Sequence, residues 1–175
     1  MGNVGQLTIN ARSMRCTQGA ILVGSLRVPC ALGRTGRAAR KREGDGATPV
    51  GVWRIVEVLY RADRVPRPQT VLPVGRLKPN HGWCDAVGDR NYNRLVRHPY
   101  PASAERMWRD DALYDVVVVL SHNRVPRVQG AGSAIFMHLN QPNYTPTEGC
   151  IALNEHNLRQ VLAHVGRQTR LCVAG

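Results

Sequence analysis

The residues best suited to chemistry are a histidine and a cysteine near the end of the chain. His138 ends an alternating segment, and Gly149-Cys150 follows after a short polar stretch. A histidine within hydrogen-bond reach can take the thiol proton, which gives a thiolate able to attack a carbonyl carbon. Gly149 permits a tight bend, and backbone N–H groups in such a turn can stabilise an oxyanion. The pattern indicates a nucleophile and its base, although a cysteine near a histidine is, by itself, more often structural.

The other cysteines and histidines form no comparable pattern. The chain has five cysteines, an odd number, and no CxxC pair that would indicate a zinc or thioredoxin-like site. Free thiols are therefore expected, and the cysteines away from the motif are interpreted as small buried apolar side chains. Histidines in loop-like or helical segments are expected at the surface. These residues are Cys16, Cys30, Cys84 and Cys172, and His81, His98, His156 and His164.

Three sequence blocks extend the pattern around the histidine and the cysteine. Residues 43–53 read EGDGATPVGVW, residues 121–138 contain SHN and then GAGSAIFMH, and residues 147–150 read TEGC. They resemble, in the same order, the GDG-x-TP-x-G-x-aromatic, HN…G-x-GS-x-IF-x-H and [ST]-x-GC elements of YkuD-type L,D-transpeptidase catalytic domains. The resemblance covers about residues 5–173. Each block alone is weak evidence, but three blocks in family order are specific.

The resemblance implies a role for each matching residue. Cys150 matches the nucleophile, and His138 matches the general base, which a nearby backbone carbonyl normally holds. The amides around Gly149 and Cys150 match the oxyanion hole. Thr147 matches the Ser or Thr that opens the nucleophile motif and is assigned to substrate binding.

Two departures from the common SHGC motif concern substrate binding. Glu148 stands where many members have a second histidine, and Ala152 stands where they have an arginine. The spacing from histidine to cysteine is also shorter, so the chain resembles a divergent subgroup. A buried substrate carboxylate needs a cation or several N–H donors, which must then come from elsewhere. Besides Glu148, the candidate substrate-binding residues are His122, Asn123, Arg124 and Arg127, with Arg37, Arg40 and Lys41 as alternative cations.

Each of these candidates also has a simpler interpretation. His122 and Asn123 either line the cleft and orient His138 or the substrate, or they form a turn at the end of a strand. The five cations are equally well explained as solvated surface charges.

The elements that must position these residues are mostly strands. We predict one catalytic domain over residues 1–175, a β-sandwich or β-barrel with a short helix after the nucleophile. The apolar run 116–120 is typical of a strand buried on both faces. Residues 61–115 read as a long irregular insertion, which is often functional, and residues 48–51 read as a turn. Strands are predicted at 4–10, 20–28, 52–60, 116–120, 133–138 and 169–173.

Local signals define the strand of the base and the helix after the nucleophile. Alternation in residues 133–138 places Ile135 and Met137 on one face and Phe136 and His138 on the other. Asn154 is a good N-cap, and apolar residues then repeat at helical spacing to residue 165. Gly166 offers a C-terminal stop.

Charge and hydropathy limit the partners. The net charge of +12 favours polyanions or simply keeps the surface soluble. A basic polymer-binding module centred on residues 34–42 is a rival function, but it lacks the interleaved aromatic residues of single-strand binders, so no nucleic-acid partner is expected. No apolar stretch approaches the roughly 18 residues of a membrane span. The family resemblance implies the periplasm or cell envelope, whereas the lack of a visible secretory signal leaves the cytoplasm open.

The resemblance implies cysteine-dependent acyl transfer on peptidoglycan stem peptides. A thioester formed on a tetrapeptide stem passes to an amine, which gives a crosslink or an exchanged D-amino acid. With water as acceptor, the same chemistry makes an L,D-carboxypeptidase, and the sequence does not separate the two. The family is also acylated by carbapenem β-lactams. This chemistry needs no metal or cofactor, and a monomer is expected.

Replacing the nucleophile tests this interpretation. Cys150→Ala is expected to abolish release of D-Ala from tetrapeptide stems without unfolding the protein, because no other thiol lies in the GC motif. Mass spectrometry of the peptides measures the release. Cys84→Ala and Cys172→Ala are the matched controls and are expected to stay active. Residual turnover by Cys150→Ala contradicts the assignment.

Overall fold

Strands dominate the computed structural model, which describes residues 4–175. One α-helix, α1 (Glu155–His164), follows the nucleophile motif, and two single 3-10 turns cover Ala112–Tyr114 and Pro142–Tyr144. No helix of the described residues is long and apolar enough to cross a membrane. In chain order the strands are β1 (Val4–Asn10), β2 (Gln18–Val23), β3 (Leu26–Ala31), β4 (Arg37–Ala38), β5 (Thr48–Pro49), β6 (Gly51–Tyr60), β7 (Val74–Arg76), β8 (His81–Cys84), β9 (Leu95–Arg97), β10 (Ala104–Arg106), β11 (Val116–Leu120), β12 (Phe136–Leu139), β13 (Ile151–Leu153) and β14 (Val165–Val173).

The main sheet closes on itself. Its strand order is β11-β12-β13-β3-β2-β1-β14-β6, with β7 at one edge of β6, and β6 also pairs with β11. Pairing is parallel between β12 and β13 and between β1 and β14. The predicted fold class, a mostly β barrel or sandwich with a short helix after the nucleophile, is confirmed. The extent of the single domain and the monomeric state stay predictions.

Strands β11 and β12 are covered on both faces, which for β11 confirms the prediction from the apolar run 116–120. In β11 the side chains of Val116, Val118 and Leu120 enter the barrel core. Those of Val117 and Val119 join a second apolar cluster outside it, called the outer cluster. In β12 Met137 faces the barrel core and Phe136 faces the outer cluster. His138, next along β12, therefore lies on the side of the outer cluster.

A second sheet covers the outer cluster. Strand β8 lies between β9 and β10, and its Trp83 packs edge-on against Phe136 with 4.9 Å between ring centroids. The Trp83 indole N–H is satisfied by Asn93, 2.9 Å away. This sheet is formed by the segment predicted to be irregular. Its strands are only three or four residues long and are separated by Pro, Asp and Asn, so no alternation is visible in the sequence.

Several predicted element boundaries are wrong. The single strand predicted at 20–28 is the hairpin of β2 and β3, because Gly24 takes a left-handed conformation (φ +58°) inside an otherwise apolar run. The predicted turn at 48–51 includes β5, which pairs with β4. His81, expected at the surface, is buried in β8.

The end of α1 also differs from the prediction. Val165, predicted to be on the helix, is the first residue of β14, so Gly166 lies in a strand and does not cap the helix. The Gly166 N–H donates to Thr169 Oγ1 at 2.8 Å. The start of the helix is as predicted. Asn154 is the N-cap, and its side chain accepts a hydrogen bond from the Asn157 N–H at 2.8 Å.

The N-cap gives a stability prediction. Asn154→Ala leaves the Asn157 N–H without its acceptor and is expected to lower the free energy of unfolding by ~1 kcal/mol. Urea denaturation measures the change. Asn154→Asp, which keeps an acceptor oxygen at the cap, is the control and is expected to unfold close to wild type. Equal loss in both variants contradicts the capping role.

Candidate active site

Two adjacent parallel strands bring the predicted nucleophile and base to one wall of a cavity. His138 of β12 pairs with Ala152 of β13, and Cys150 lies two residues before Ala152. Because side chains alternate along a strand, these three residues point to the same face of the sheet. All three line a cavity of about 570 Å³, a size suited to a small ligand or a peptide segment.

The Thr147 side chain makes two hydrogen bonds within the loop of residues 147–150. The Thr147 hydroxyl donates to the Cys150 carbonyl at 2.6 Å and accepts from the Gly149 N–H at 3.2 Å. Gly149 has φ +129°, and a Cβ there would approach the Ala47 carbonyl oxygen to 2.8 Å. Glycine is therefore required at this position, and the Thr147 hydroxyl is used within the loop although its residue lines the cavity.

The same loop is fastened to the segment after β3. The Thr147 N–H donates to the Leu32 carbonyl at 2.9 Å, and the Arg34 N–H donates to the Thr147 carbonyl at 2.7 Å. Glu148 lines the cavity and forms an ion pair with Arg34 at 2.8 Å. Both side chains of this pair are largely exposed, so the pair contributes little to stability. The backbone contacts therefore fix the loop.

The thiol of Cys150 is protonated and internally hydrogen-bonded. The residue is 8% exposed, and burial raises the pKa of its thiol to about 12, an effect that the charge of Glu105 reinforces. Its Sγ donates to the Ala134 carbonyl at 3.1 Å and accepts from the Phe136 N–H at 3.4 Å. Within residues 4–175, no hydrogen bond joins this thiol to His138. The Cys150 side chain is thus a neutral thiol turned toward the Ala134 carbonyl.

His138 is a neutral imidazole whose unprotonated nitrogen is Nε2. Its Nδ1 lies 2.8 Å from the Leu139 carbonyl, which can only accept, so Nδ1 carries the proton and Nε2 keeps its lone pair. The residue is 5% exposed, and burial lowers the pKa of the imidazole to about 4. The Tyr114 ring packs edge-on against the imidazole, with 5.3 Å between centroids. A backbone carbonyl thus holds this histidine, as the motif resemblance implies.

His122 and Asn123 lie outside the cavity lining and organise the loop that follows them. His122 Nε2 is 3.0 Å from the Ala131 carbonyl, and its ring packs edge-on against Trp53. The Asn123 side chain donates to the carbonyls of Val128 and Gly132 at 2.9 Å each. It also accepts from the Val128 N–H at 2.8 Å. The geometry matches the turn interpretation of this pair.

Arg124 and Arg127 also lie outside the cavity lining. Arg124 lies 3.7 Å from Glu57 and over the Trp83 ring, and Arg127 donates to a backbone carbonyl at 3.2 Å.

The alternative cations of the basic segment 34–42 also lie outside the cavity lining. Arg37 is buried and donates to the carbonyls of Ser13 and Ala174. Arg40 is exposed, and Lys41 is paired with Asp45. None of the three lines the cavity.

The cavity contains polar residues that the sequence analysis did not identify. Arg109, Glu105 and Tyr114 come from β10 and the chain between it and β11. The Tyr114 hydroxyl donates to Glu105 Oε1 at 2.7 Å, and burial raises the pKa of both groups. The sequence signal for these residues is a mixture of acidic and basic residues at 105–111, shortly before the buried run 116–120. A search for motifs around Cys150 does not reach this segment.

The cavity is acidic although the whole chain is strongly basic. Its lining includes four carboxylates and one guanidinium, that of Arg109. His138 adds no charge at neutral pH because burial keeps its pKa low. The local charge therefore opposes the net charge of +12. The four carboxylates are those of Glu43, Asp85, Glu105 and Glu148.

Comparison with protein-family models places these residues in a known domain family. The family model of the L,D-transpeptidase catalytic domain (YkuD) matches residues 8–173, which include His138, Cys150 and the second sheet. No curated protein matches the chain.

Proposed function

This chain belongs to the L,D-transpeptidase (YkuD) catalytic domain family, which acts on peptidoglycan, and we propose that it is a cysteine-dependent L,D-transpeptidase of tetrapeptide stems. The observation that carries the proposal is the common cavity wall of Cys150 and His138. A neutral imidazole with a free Nε2 beside a neutral thiol is the pair that acyl transfer requires. The substrate then places the site of action in the cell envelope.

Acylation begins with a turn of the Cys150 side chain away from the Ala134 carbonyl. His138 Nε2 takes the thiol proton while Sγ attacks the carbonyl carbon of the bond before the terminal D-Ala. The Cys150 amide is the oxyanion donor, since the Gly149 amide already donates to Thr147. When the tetrahedral intermediate collapses, the C–N bond breaks and the imidazolium returns its proton to the leaving amine. The products are free D-Ala and a Cys150 thioester.

Deacylation reverses the proton path with a new acceptor. An amine that has lost its ammonium proton to solvent enters the position left by D-Ala, attacks the thioester carbonyl and gives a second proton to His138 Nε2. The C–S bond then breaks, and the thiolate regains the proton from the imidazolium. The product is a new amide, which is a crosslink or an exchanged D-amino acid.

The charge of the cavity favours an amine over water as acceptor. Four carboxylates line a site within a protein of net charge +12. A cleft in which one sign of charge is in excess concentrates the oppositely charged ligand, here an ammonium group. Water gains nothing from such a field. This supports transpeptidation over the L,D-carboxypeptidase alternative, in which a tripeptide is the product.

The test is product analysis with a tetrapeptide donor and an amine acceptor. Wild type is expected to release D-Ala and form the new amide, identified by mass spectrometry. His138→Ala is expected to slow release by about 10²- to 10⁴-fold because it removes the general base. The control is His156→Ala, whose histidine is exposed on α1. Tripeptide as the only product supports the carboxypeptidase instead, and absence of D-Ala release contradicts both.

The pH dependence of acylation tests the state of His138. Only the neutral imidazole accepts a proton, and burial lowers its pKa to about 4. The rate is therefore expected to persist as the pH falls through the ordinary histidine value of about 6.5, and to be lost only as the pH falls through about 4. Single-turnover release of D-Ala measures this profile. An acid limb centred between about pH 6 and 7 contradicts a buried neutral base.

A further inference from the structure

Arg109 is the only cationic side chain among the described residues that line the active-site cavity. The other charged lining residues are carboxylates. Ala152 lines the same cavity and leaves free space beside the nucleophile. Any anionic group of a substrate that enters this cavity therefore has one guanidinium to meet.

The guanidinium is held in place with one edge left free. Its Nε and Nη2 donate to the two carboxylate oxygens of Asp111, at 2.9 and 2.6 Å. The backbone carbonyl of Arg109 accepts a hydrogen bond from Arg61 Nη1 at 2.7 Å. The remaining nitrogen, Nη1, lies 3.9 Å from Glu105, beyond hydrogen-bond distance. The side chain is 34% exposed, so Nη1 is available to a ligand.

The position of Arg109 relative to His138 indicates which anion it meets. The Arg109 guanidinium lies 5.3 Å from the centroid of the Tyr114 ring, and the centroid of the His138 ring also lies 5.3 Å from it. His138 must lie next to the leaving amine, to which it returns the proton. In a stem that ends in D-Ala, the terminal carboxylate is one carbon away from that amine. Arg109, the one cation among the described residues that line this cavity, is therefore the group placed to meet that carboxylate.

We propose that Arg109 binds the terminal carboxylate of the donor peptide and makes the enzyme specific for stems that end in a free carboxylate. The inference rests on the proposed function. Asp111 orients the guanidinium, so that binding loses little side-chain entropy. Glu105 Oε1 accepts its hydrogen bond from the Tyr114 hydroxyl, and Nη1 of Arg109, 3.9 Å away, makes no hydrogen bond to it.

A second explanation of Arg109 is purely structural. Its charge neutralises Asp111 and Glu105 and supports the turn Ala112–Tyr114, whose N-cap is Asp111. A structural role affects every substrate equally. A carboxylate-binding role affects only substrates that carry the carboxylate, and this difference defines the experiment.

The experiment compares a tetrapeptide ending in a free carboxylate with the same peptide ending in a carboxamide. Wild type is expected to prefer the acid by about 10- to 100-fold in kcat/KM, the size of one charge-assisted hydrogen bond. Arg109→Gln is expected to lose about that factor on the acid and to change the amide rate less than about twofold. Arg167→Gln is the matched control, since it removes an exposed arginine of β14 outside the cavity.

Each other outcome overturns the proposal. Equal losses on acid and amide in Arg109→Gln show a structural role. Equal rates of wild type on both donors show that no carboxylate is bound, and this comparison needs no variant. If Arg109→Gln does not fold, Arg109→Lys keeps the charge but loses the fork, and it must lower the acid rate selectively. Failure of wild type on both donors removes the proposed function itself, whereas the other failures leave it intact.

Discussion

The parallel register of β12 and β13 is the constraint on which the site depends. His138 lies opposite Ala152, so Cys150, two residues earlier, shares its face. A shift of one residue would turn the thiol or the imidazole into the barrel core, because successive side chains alternate. Met137 and Ile151 oppose such a shift, because they pair with each other across the two strands and are fully buried in that core. Core packing thus specifies the relative placement of His138 and Cys150.

The second sheet determines the electrostatics of that pair. By covering the outer cluster at Phe136, it removes the side of β12 that carries His138 from water. Burial then lowers the pKa of the imidazole and raises that of the thiol, so the resting pair carries no charge. The acidic groups around the pair oppose early ionisation of Cys150, since the charge of Glu105 raises its pKa. In the resting structure, neither side chain is therefore ionised at neutral pH.

What the sequence predicted well was local. The alternation of β12, the apolar run of β11 and the Asn154 cap each depend on a few adjacent residues, and the structure confirms them. What it missed depends on contacts distant in the chain. Arg109 and Glu105 enter the cavity only because the second sheet folds over β12, and its strands are too short to show a period. The change from α1 directly to β14 at Val165 was hidden because valine suits either apolar pattern.

The pairing of β1 with β14 has a consequence for the synthesis of the protein. Residues 4–9 of β1 pair in parallel with residues 165–173 of β14. In the sheet, β1 lies between β2 and β14. Such non-local pairing forms late because a long loop must first close. On the ribosome, β1 can pair with β2 as soon as that strand emerges, but its other edge waits for β14 until almost the whole of residues 4–173 has emerged. The motif cysteine is thus translated before the barrel can close, and during that interval its thiol is exposed to the surrounding redox conditions.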